Sequence, residues 1–157
     1  GYLSSEPYSI EKQGGFTPQV YLLADNGYPG YANMVLVPDT WIAGQPEVVQ
    51  AFVDATIEGW MHYLYGDPSL GNALIKQDNP EMADDLIAQA IDKMKSYGVA
   101  LSGDAETSGL GAMTDARWKE FFDTMSSEGL YTDTLPYRDA YTVQFVNKGH
   151  ALDTKAP

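Results

Sequence analysis

The stretch VYLLADNGYPGYANMVLV, residues 20–37, decides the fold that we predict from this sequence. Its two ends, 20–24 and 33–37, are apolar, partly β-branched and bounded by Gly, Pro and Asp, which predicts two short strands. Between them, 25–31 forms a turn that is rich in tyrosine, glycine and proline. Small ligands of open α/β sheets sit in loops at strand ends, so this turn is a candidate binding loop.

Composition narrows the class of protein. The chain has 157 residues, 44% of them apolar, which is enough for one domain with a core. Its net charge of -13 disfavours nucleic acid and anionic membranes as partners. Arg117 and Arg138 are the two arginines of the sequence, so a guanidinium clamp for an anion is hard to build, and neutral or cationic ligands are favoured. The lack of cysteine excludes disulfides and thiolate chemistry.

Four amphipathic helices follow the two strands, each with recognisable start and stop signals. A further strand-like run occupies 141–146. The predicted helices run from Pro46 to Gly66, from Asp67-Pro68 to about Lys76, from Asn79-Pro80 to Gly98, and from Thr114 or Asp115 to Gly129.

Two strands are too few to cover these helices, because a two-stranded sheet is marginal alone. We therefore expect a missing segment or a partner chain to supply more strands. The chain begins Gly1-Tyr2-Leu3 without an initiator methionine. We interpret it as a processed or incomplete piece of a longer protein, with any targeting segment upstream.

Several segments, in this order and spacing, resemble one protein family. The chain is similar to the second half of bacterial ABC-transporter solute-binding proteins of the nitrate/taurine/thiamine-precursor type. The segments that carry the resemblance are Gly1–Tyr8, Leu22–Asp25, Gln45–Asp54 leading to Gly59-Trp60, Asp78–Met82, Gly109–Trp118 and Ala140–Asn147.

The resemblance implies an α/β architecture, the type II periplasmic-binding-protein fold, in which two α/β lobes joined by crossover strands close on a ligand. Residues 1–19 would end the second lobe, and 20–157 would form the crossover strand and the C-terminal part of the first lobe, with the N-terminal half missing. The family is exported, which implies a periplasmic, secreted or lipid-anchored protein. Its partners would be a small-molecule ligand, a membrane permease and the missing half.

Ser5, Glu6 and Tyr8 lie just before the predicted crossover and are candidate ligand-binding residues. The Glu6 carboxylate could accept hydrogen bonds from an amino-substituted ring such as an aminopyrimidine. The alternatives for Glu6 are a cap on a following helix, Tyr8–Lys12, or a solvent-facing position. Ser5 could equally serve the turn.

Tyr28 and Tyr31 are candidates for stacking on a planar ligand, with Tyr28 slightly favoured, and Asp25 is a weaker polar candidate. The alternative is that both rings pack against the rest of the domain and hold the loop in place. His62 and His150 have no zinc spacing or triad partner, so we expect neither metal nor catalytic residues. The helical aromatics are interpreted as core: Phe52, Trp60, Trp118, Phe121 and Phe122.

The function expected from these observations is that of a solute-binding component of an ABC importer, without cofactor or enzymatic turnover. It would capture a small nitrogen-containing ligand, related to pyrimidine precursors of thiamine, in an interlobe cleft and deliver it to the permease. Two alternatives remain open. One is a pyrimidine-synthesising enzyme of the thiamine-precursor group, whose cysteine-rich motif this chain lacks; the other is a ligand-sensing domain.

Overall fold

The computed structural model describes residues 1–152, and within that range the regular elements are helices and no strand is formed. The predicted α/β periplasmic-binding-protein fold is therefore wrong for this structure. Seven α-helices are present in the described range: α1 (Glu6–Gly14), α2 (Asp39–Gly44), α3 (Pro46–Tyr65), α4 (Ser69–Asp78), α5 (Asp84–Ser96), α6 (Ala105–Ser108) and α7 (Asp115–Ser127).

Local hydrogen bonds explain why the first predicted strand, 20–24, does not form. Asn26 donates from Nδ2 to the Leu22 carbonyl at 2.7 Å and from its backbone to Leu23 at 3.0 Å. These bonds wind Ala24–Asn26 into a 3-10 turn, which Gly27 ends with a φ of 87° that suits glycine.

The other two predicted strands lack partners as well. The backbone of 33–37 makes no hydrogen bond within residues 1–152. In 141–146 the backbone folds into a turn, because Val146 donates to the Val143 carbonyl at 3.3 Å. Strand formation depends on pairing across strands, and no segment of the described chain supplies it.

Several of the predicted start and stop signals lie at the observed helix ends. Helix α3 begins at Pro46 and ends one residue before Gly66, as predicted. The backbone N–H of Ser69, at the start of α4, donates to Asp67 Oδ1 at 3.0 Å. The Thr114 side chain caps α7 by accepting from the Arg117 N–H at 3.3 Å.

Helix α5 begins later than predicted. Asn79 starts a turn instead, since its Oδ1 accepts from the Glu81 N–H at 3.3 Å and its carbonyl from the Met82 N–H at 3.0 Å. The helix starts at Asp84 and ends just before Gly98, whose φ of 60° closes the last turn.

The chain divides into two structural units. Unit 1 comprises Gly1–Val20 and Glu58–Ser102, and unit 2 comprises Tyr21–Ile57 and the chain from Gly103 onward. In the described range, the buried apolar residues of unit 1 are Leu64 and Ile87. Those of unit 2 are Val49, Val53, Ile57, Ala105, Leu110, Ala112, Phe122, Met125 and Phe145. Most of the buried core thus belongs to unit 2.

A terminal segment holds unit 2 together across a long sequence separation. Asn147 donates from Nδ2 to the Met113 carbonyl at 2.8 Å and accepts from the Met113 N–H at 3.0 Å. Gln50, on α3, donates to the carbonyl of the buried Phe145 at 3.1 Å. These bonds join α3 to the end of the described chain.

No helix within residues 1–152 combines the length and apolar character needed to cross a membrane.

Candidate functional site

The structure places the predicted site residues in both units, so each group is described by itself. Ser5, Glu6 and Tyr8 belong to unit 1, whereas Asp25, Tyr28 and Tyr31 belong to unit 2.

Glu6 stands at the start of α1, where its carboxylate is engaged locally. Its Oε2 accepts a hydrogen bond from the Tyr2 backbone N–H at 2.7 Å and another from the Ser5 hydroxyl. The bond from Ser5 is the largest cause of a lowered Glu6 pKa, followed by that from Tyr2. The Ser5 and Glu6 side chains thus bond to each other and to Tyr2 ahead of α1, and the helix cap considered as an alternative for Glu6 is not formed within the described residues.

Tyr8 is hydrogen bonded to α5 of the same unit. Its hydroxyl donates to Asp85 Oδ2 at 2.6 Å, and Lys12 Nζ lies 2.5 Å from the same oxygen. The hydrogen bond from Lys12, and then that from Tyr8, lowers the pKa of Asp85 from 3.8 to about 2. We call Tyr8, Lys12 and Asp85 the Asp85 cluster. All three side chains lie at the surface, and their arrangement links α1 to α5.

Asp25 lies in the exposed 3-10 turn, and its side chain makes no hydrogen bond within residues 1–152. Tyr28 and Tyr31, by contrast, both pack on α7. The Tyr28 ring meets Phe121 edge to face at 5.6 Å, and the Tyr31 ring meets Trp118 at 5.9 Å with a tilt of 51°. We call these four aromatic residues the α7 aromatic face.

Tyr31 is held at its hydroxyl. The hydroxyl donates to Asp104 Oδ2 and accepts from the Thr114 backbone N–H at 2.8 Å. Thr114 Oγ1 donates to the same Asp104 oxygen at 3.2 Å. Partial burial, followed by the bond to Asp104, raises the pKa of Tyr31, so the ring stays neutral at ordinary pH. Its orientation is fixed before any ligand arrives.

Arg117 fastens the loop that carries these tyrosines. Its Nε donates to the Pro29 carbonyl at 2.7 Å and its Nη2 to the Gly30 carbonyl at 3.2 Å. The guanidinium carbon lies 4.3 Å from the Tyr31 ring centroid, within the range of a cation–π contact. Because Arg117 is committed to carbonyls and a ring, it does not act as a clamp for an anion.

Asp115, in the first turn of α7, accepts hydrogen bonds from three side chains. Arg138 donates to both of its oxygens, at 2.9 and 2.8 Å, and the hydroxyl of Tyr141 donates at 2.5 Å. Tyr137 donates to Asp115 at 3.2 Å. We call Asp115, Tyr137, Arg138 and Tyr141 the Asp115 cluster. The bond from Arg138, and then that from Tyr141, holds the pKa of Asp115 well below its usual range. The same arrangement raises the pKa of Tyr141 to about 12, with desolvation the largest cause.

The Tyr141 ring stacks on Trp118 with centroids 4.7 Å apart and planes 5° from parallel. The indole Nε1–H of Trp118 is buried and has no acceptor within residues 1–152. An unsatisfied buried donor is costly, and its burial keeps this N–H out of contact with a molecule bound at the surface.

A shallow depression lies on the α7 aromatic face. It has a volume of about 50 Å³ and is lined by Gly30, Tyr31, Met34, Trp118 and Phe121. A Cβ on Gly30 would lie 2.9 Å from Tyr28 Cε1 and 3.1 Å from Phe121 Cδ2, so the glycine allows the loop to approach the rings. The depression is much smaller than the roughly 300–1,000 Å³ of an ordinary ligand pocket, so it can receive no more than one edge or face of a flat ring.

Sequence reasoning found Tyr28 and Tyr31 but missed the residues of α7 beside them. Trp118 and Phe121 were interpreted as core, yet both are half-buried, and Arg117 was considered only as one of two scarce arginines. The available signal was spacing, since Arg117, Trp118 and Phe121 recur at one- and three-residue steps just after the Thr114 cap and share one side of the helix.

Within residues 1–152, no group of three or more histidine or acidic side chains is placed to hold a metal ion. Comparisons of this chain with protein-family models, with curated proteins and with solved structures gave no match. The functional argument therefore depends on the residues and geometry described above.

Proposed function

We propose that this protein binds a small, planar, nitrogen-containing molecule on the α7 aromatic face. Its wider role would be that of a solute-binding component of an ABC importer. The observation that carries the proposal is the depression in which Tyr31, Trp118 and Phe121 converge around Gly30. Aromatic rings favour offset or edge-to-face contact with a flat ligand, worth about 0.5–1.5 kcal/mol for each pair.

The charges around the depression support a neutral or cationic ligand. Both arginines near α7 are engaged, Arg117 with backbone carbonyls and Arg138 with Asp115. No guanidinium is thus left to pair with a sulfonate or nitrate, while the net charge of -13 attracts cations. An aminopyrimidine fits these requirements, since it is flat and its ring nitrogens accept hydrogen bonds.

The importer role is supported by the order of the sequence segments that resemble solute-binding proteins. In that role the protein would be exported and would hand its ligand to a membrane permease. Release without chemical change would separate it from a pyrimidine-synthesising enzyme. A ligand recovered with altered mass after incubation would favour the enzyme instead.

Titration with 4-aminopyrimidine tests the binding site directly. The indole N–H resonances of Trp41, Trp60 and Trp118 report on three positions at once. We expect the Trp118 resonance to shift and saturate, with the other two unchanged, and benzenesulfonate at the same concentrations to have no effect. If 4-aminopyrimidine leaves Trp118 unmoved, the α7 aromatic face is not the site.

A matched pair of glycine variants sharpens the test. Gly30→Ala would push Tyr28 and Phe121 out of place and should weaken binding about 2- to 10-fold, the equivalent of one aromatic contact. Gly44→Ala is the control, because a Cβ there meets no atom within 4 Å. Equal affinity in the two variants would contradict the proposal.

A further inference from the structure

Met34 is the most accessible methionine of the described chain. It is 52% exposed and lies in 33–37, a segment whose backbone makes no hydrogen bond within residues 1–152. Met125, on α7, is buried and 9% exposed. The remaining methionines are half-buried: Met61, Met82, Met94 and Met113. A small solute therefore reaches the Met34 side chain more readily than that of any other methionine.

The Met34 side chain also belongs to the candidate ligand site. It lines the depression of about 50 Å³ on the α7 aromatic face, together with Gly30, Tyr31, Trp118 and Phe121. A thioether is apolar and polarizable, and it makes favourable contacts with aromatic rings. Met34 thus completes the apolar surface on which a flat ring would rest. The inference that follows rests on the proposed function of this depression in binding such a ring.

Oxidation by a peroxide would change the chemistry of this surface. A lone pair of the Met34 sulfur attacks one peroxide oxygen, so a sulfur–oxygen bond forms while the oxygen–oxygen bond breaks. The proton of the attacked oxygen passes to the leaving oxygen. The thioether is oxidised to a sulfoxide, and hydrogen peroxide is reduced to water. The product is polar and chiral, and its oxygen accepts hydrogen bonds from water. It also adds an atom to a depression that is already smaller than an ordinary ligand pocket.

We propose that Met34 is an oxidation site through which a peroxide weakens ligand binding at the α7 aromatic face. A flat ring that stacks beside the sulfoxide displaces water from its oxygen. The face of the ring offers no donor in place of that water, so affinity falls. The reaction leaves the rings of Tyr31 and Trp118 unaltered. Reduction of the sulfoxide by a methionine sulfoxide reductase therefore restores the site.

The first measurement tests the site of oxidation and needs no ligand. The whole chain is treated with dilute hydrogen peroxide, and peptide mapping by mass spectrometry follows the gain of oxygen at each methionine. We expect Met34 to be oxidised first and Met125 last, because exposure controls access of the peroxide. Methionine sulfoxide reductase should then reverse the gain at Met34. Oxidation of another methionine before Met34 would overturn the proposal.

The second measurement compares the affinity for 4-aminopyrimidine before and after oxidation of Met34. Binding to the wild-type chain should weaken about 2- to 10-fold, the equivalent of one lost contact with the ring, and recover after reduction. Met34→Leu is the control, because leucine is apolar and has no sulfur to oxidise. Whatever its starting affinity, this variant should bind equally before and after peroxide. An equal loss in the wild type and in Met34→Leu would overturn the proposal.

The same titrations separate this inference from the proposed function. If the oxidised wild-type chain binds 4-aminopyrimidine as tightly as the unoxidised chain, the role of Met34 is wrong and the proposed site stands. If the unoxidised chain does not bind 4-aminopyrimidine, the proposed function is wrong and the role of Met34 falls with it.

Discussion

Two surface carboxylates of this protein, Asp85 in unit 1 and Asp115 in unit 2, accept hydrogen bonds from the same kinds of side chain. The two sites differ in how firmly apolar packing holds those side chains. Each lies in the first turn of a helix, where a negative charge is favourable. Each accepts hydrogen bonds from a cation and from tyrosine: Lys12 and Tyr8 at Asp85, and Arg138 with two tyrosines at Asp115.

The difference lies in what holds the partners. At Asp115, Tyr141 stacks on Trp118 and Tyr137 stacks on the buried Phe122, with ring centroids 4.7 and 5.2 Å apart. At Asp85 both partners come from α1, a helix that buries none of its side chains. A charged cluster fixes a surface geometry when apolar packing has already restricted its members, because exposed ion pairs alone contribute little.

The largest expected effect comes from removing that packing. Phe122→Ala deletes a ring that is 9% exposed and that supports Tyr137, and it should lower the free energy of unfolding by about 3 kcal/mol. Phe52→Ala, at a ring that is 60% exposed, should cost less than about 0.5 kcal/mol. Urea unfolding measures the free energy of unfolding of both variants. If the two variants lose the same free energy, the distinction between a packed and an exposed ring is wrong.

Acid should separate the two clusters next. The folded-state pKa values of Asp85 and Asp115 lie below the unfolded value of about 3.8, so their contribution is full above about pH 4 and is lost as the pH falls. For Asp85 the loss runs from about pH 4 to about pH 2, and for Asp115 it extends lower. Because the side chains of both clusters are exposed, water offsets much of this contribution, and unfolding midpoints should fall moderately between pH 5 and pH 2 in the wild type.

Asparagine variants show which carboxylate causes the fall of the unfolding midpoint in acid. Below pH 5, the unfolding midpoint of Asp115→Asn should depend less on pH than that of Asp85→Asn, because more donors converge on Asp115. Asp92→Asn is the control, as that carboxylate makes no hydrogen bond or ion pair within residues 1–152. If the unfolding midpoint falls with pH equally in all three variants, these clusters do not determine stability in acid.

A smaller contrast comes from single hydroxyls. Tyr141→Phe removes the 2.5 Å bond to Asp115 but keeps the stack on Trp118, while Tyr8→Phe removes the 2.6 Å bond to Asp85. We expect a lower unfolding midpoint for Tyr141→Phe and a smaller change for Tyr8→Phe, since the pre-stacked ring loses less entropy on bonding. A larger fall in the midpoint for Tyr8→Phe than for Tyr141→Phe would contradict the difference drawn between the two clusters.

Lys12→Ala should have the smallest effect. The Lys12 side chain is 56% exposed and Asp85 is 44% exposed, so water replaces the ion pair readily. Thermal unfolding should be unchanged within error, and raising the salt concentration should leave the two proteins alike. A clear drop in the midpoint would mean that α1 depends on this pair after all.

Helices were predictable from this sequence where local signals were sufficient. Pro46 and Gly66 mark the limits of α3, and Thr114 starts α7. Proline lacks the N–H that a first helical position does not need, a Cβ on Gly66 would lie 2.8 Å from the His62 carbonyl oxygen, and the Thr114 hydroxyl caps α7, so each signal acts within a few residues. The strands at 20–24, 33–37 and 141–146 were not predictable in this way. Apolar, β-branched runs form strands when another strand pairs with them, and that pairing is not encoded in the run itself.

The candidate site was predictable in part for the same reason. The glycine- and proline-rich loop identified Tyr28 and Tyr31 as candidates for stacking on a planar ligand. That Tyr31 meets Trp118, and that Arg117 binds the loop carbonyls, depends on contacts between positions more than 80 residues apart. No local pattern in either segment specifies such a meeting.

Unit 2 is assembled from two separated stretches of chain, 21–57 and the residues from Gly103 onward, so it is completed late in synthesis. The bonds from Gln50 to Phe145 and from Asn147 to Met113 can form when the later stretch has left the ribosome. At about 5–20 residues per second, the 95 positions from Gln50 to Phe145 take on the order of 5–20 s to make. During that interval α3 carries the apolar residues Val49 and Val53 without the later stretch that completes unit 2 in the folded chain.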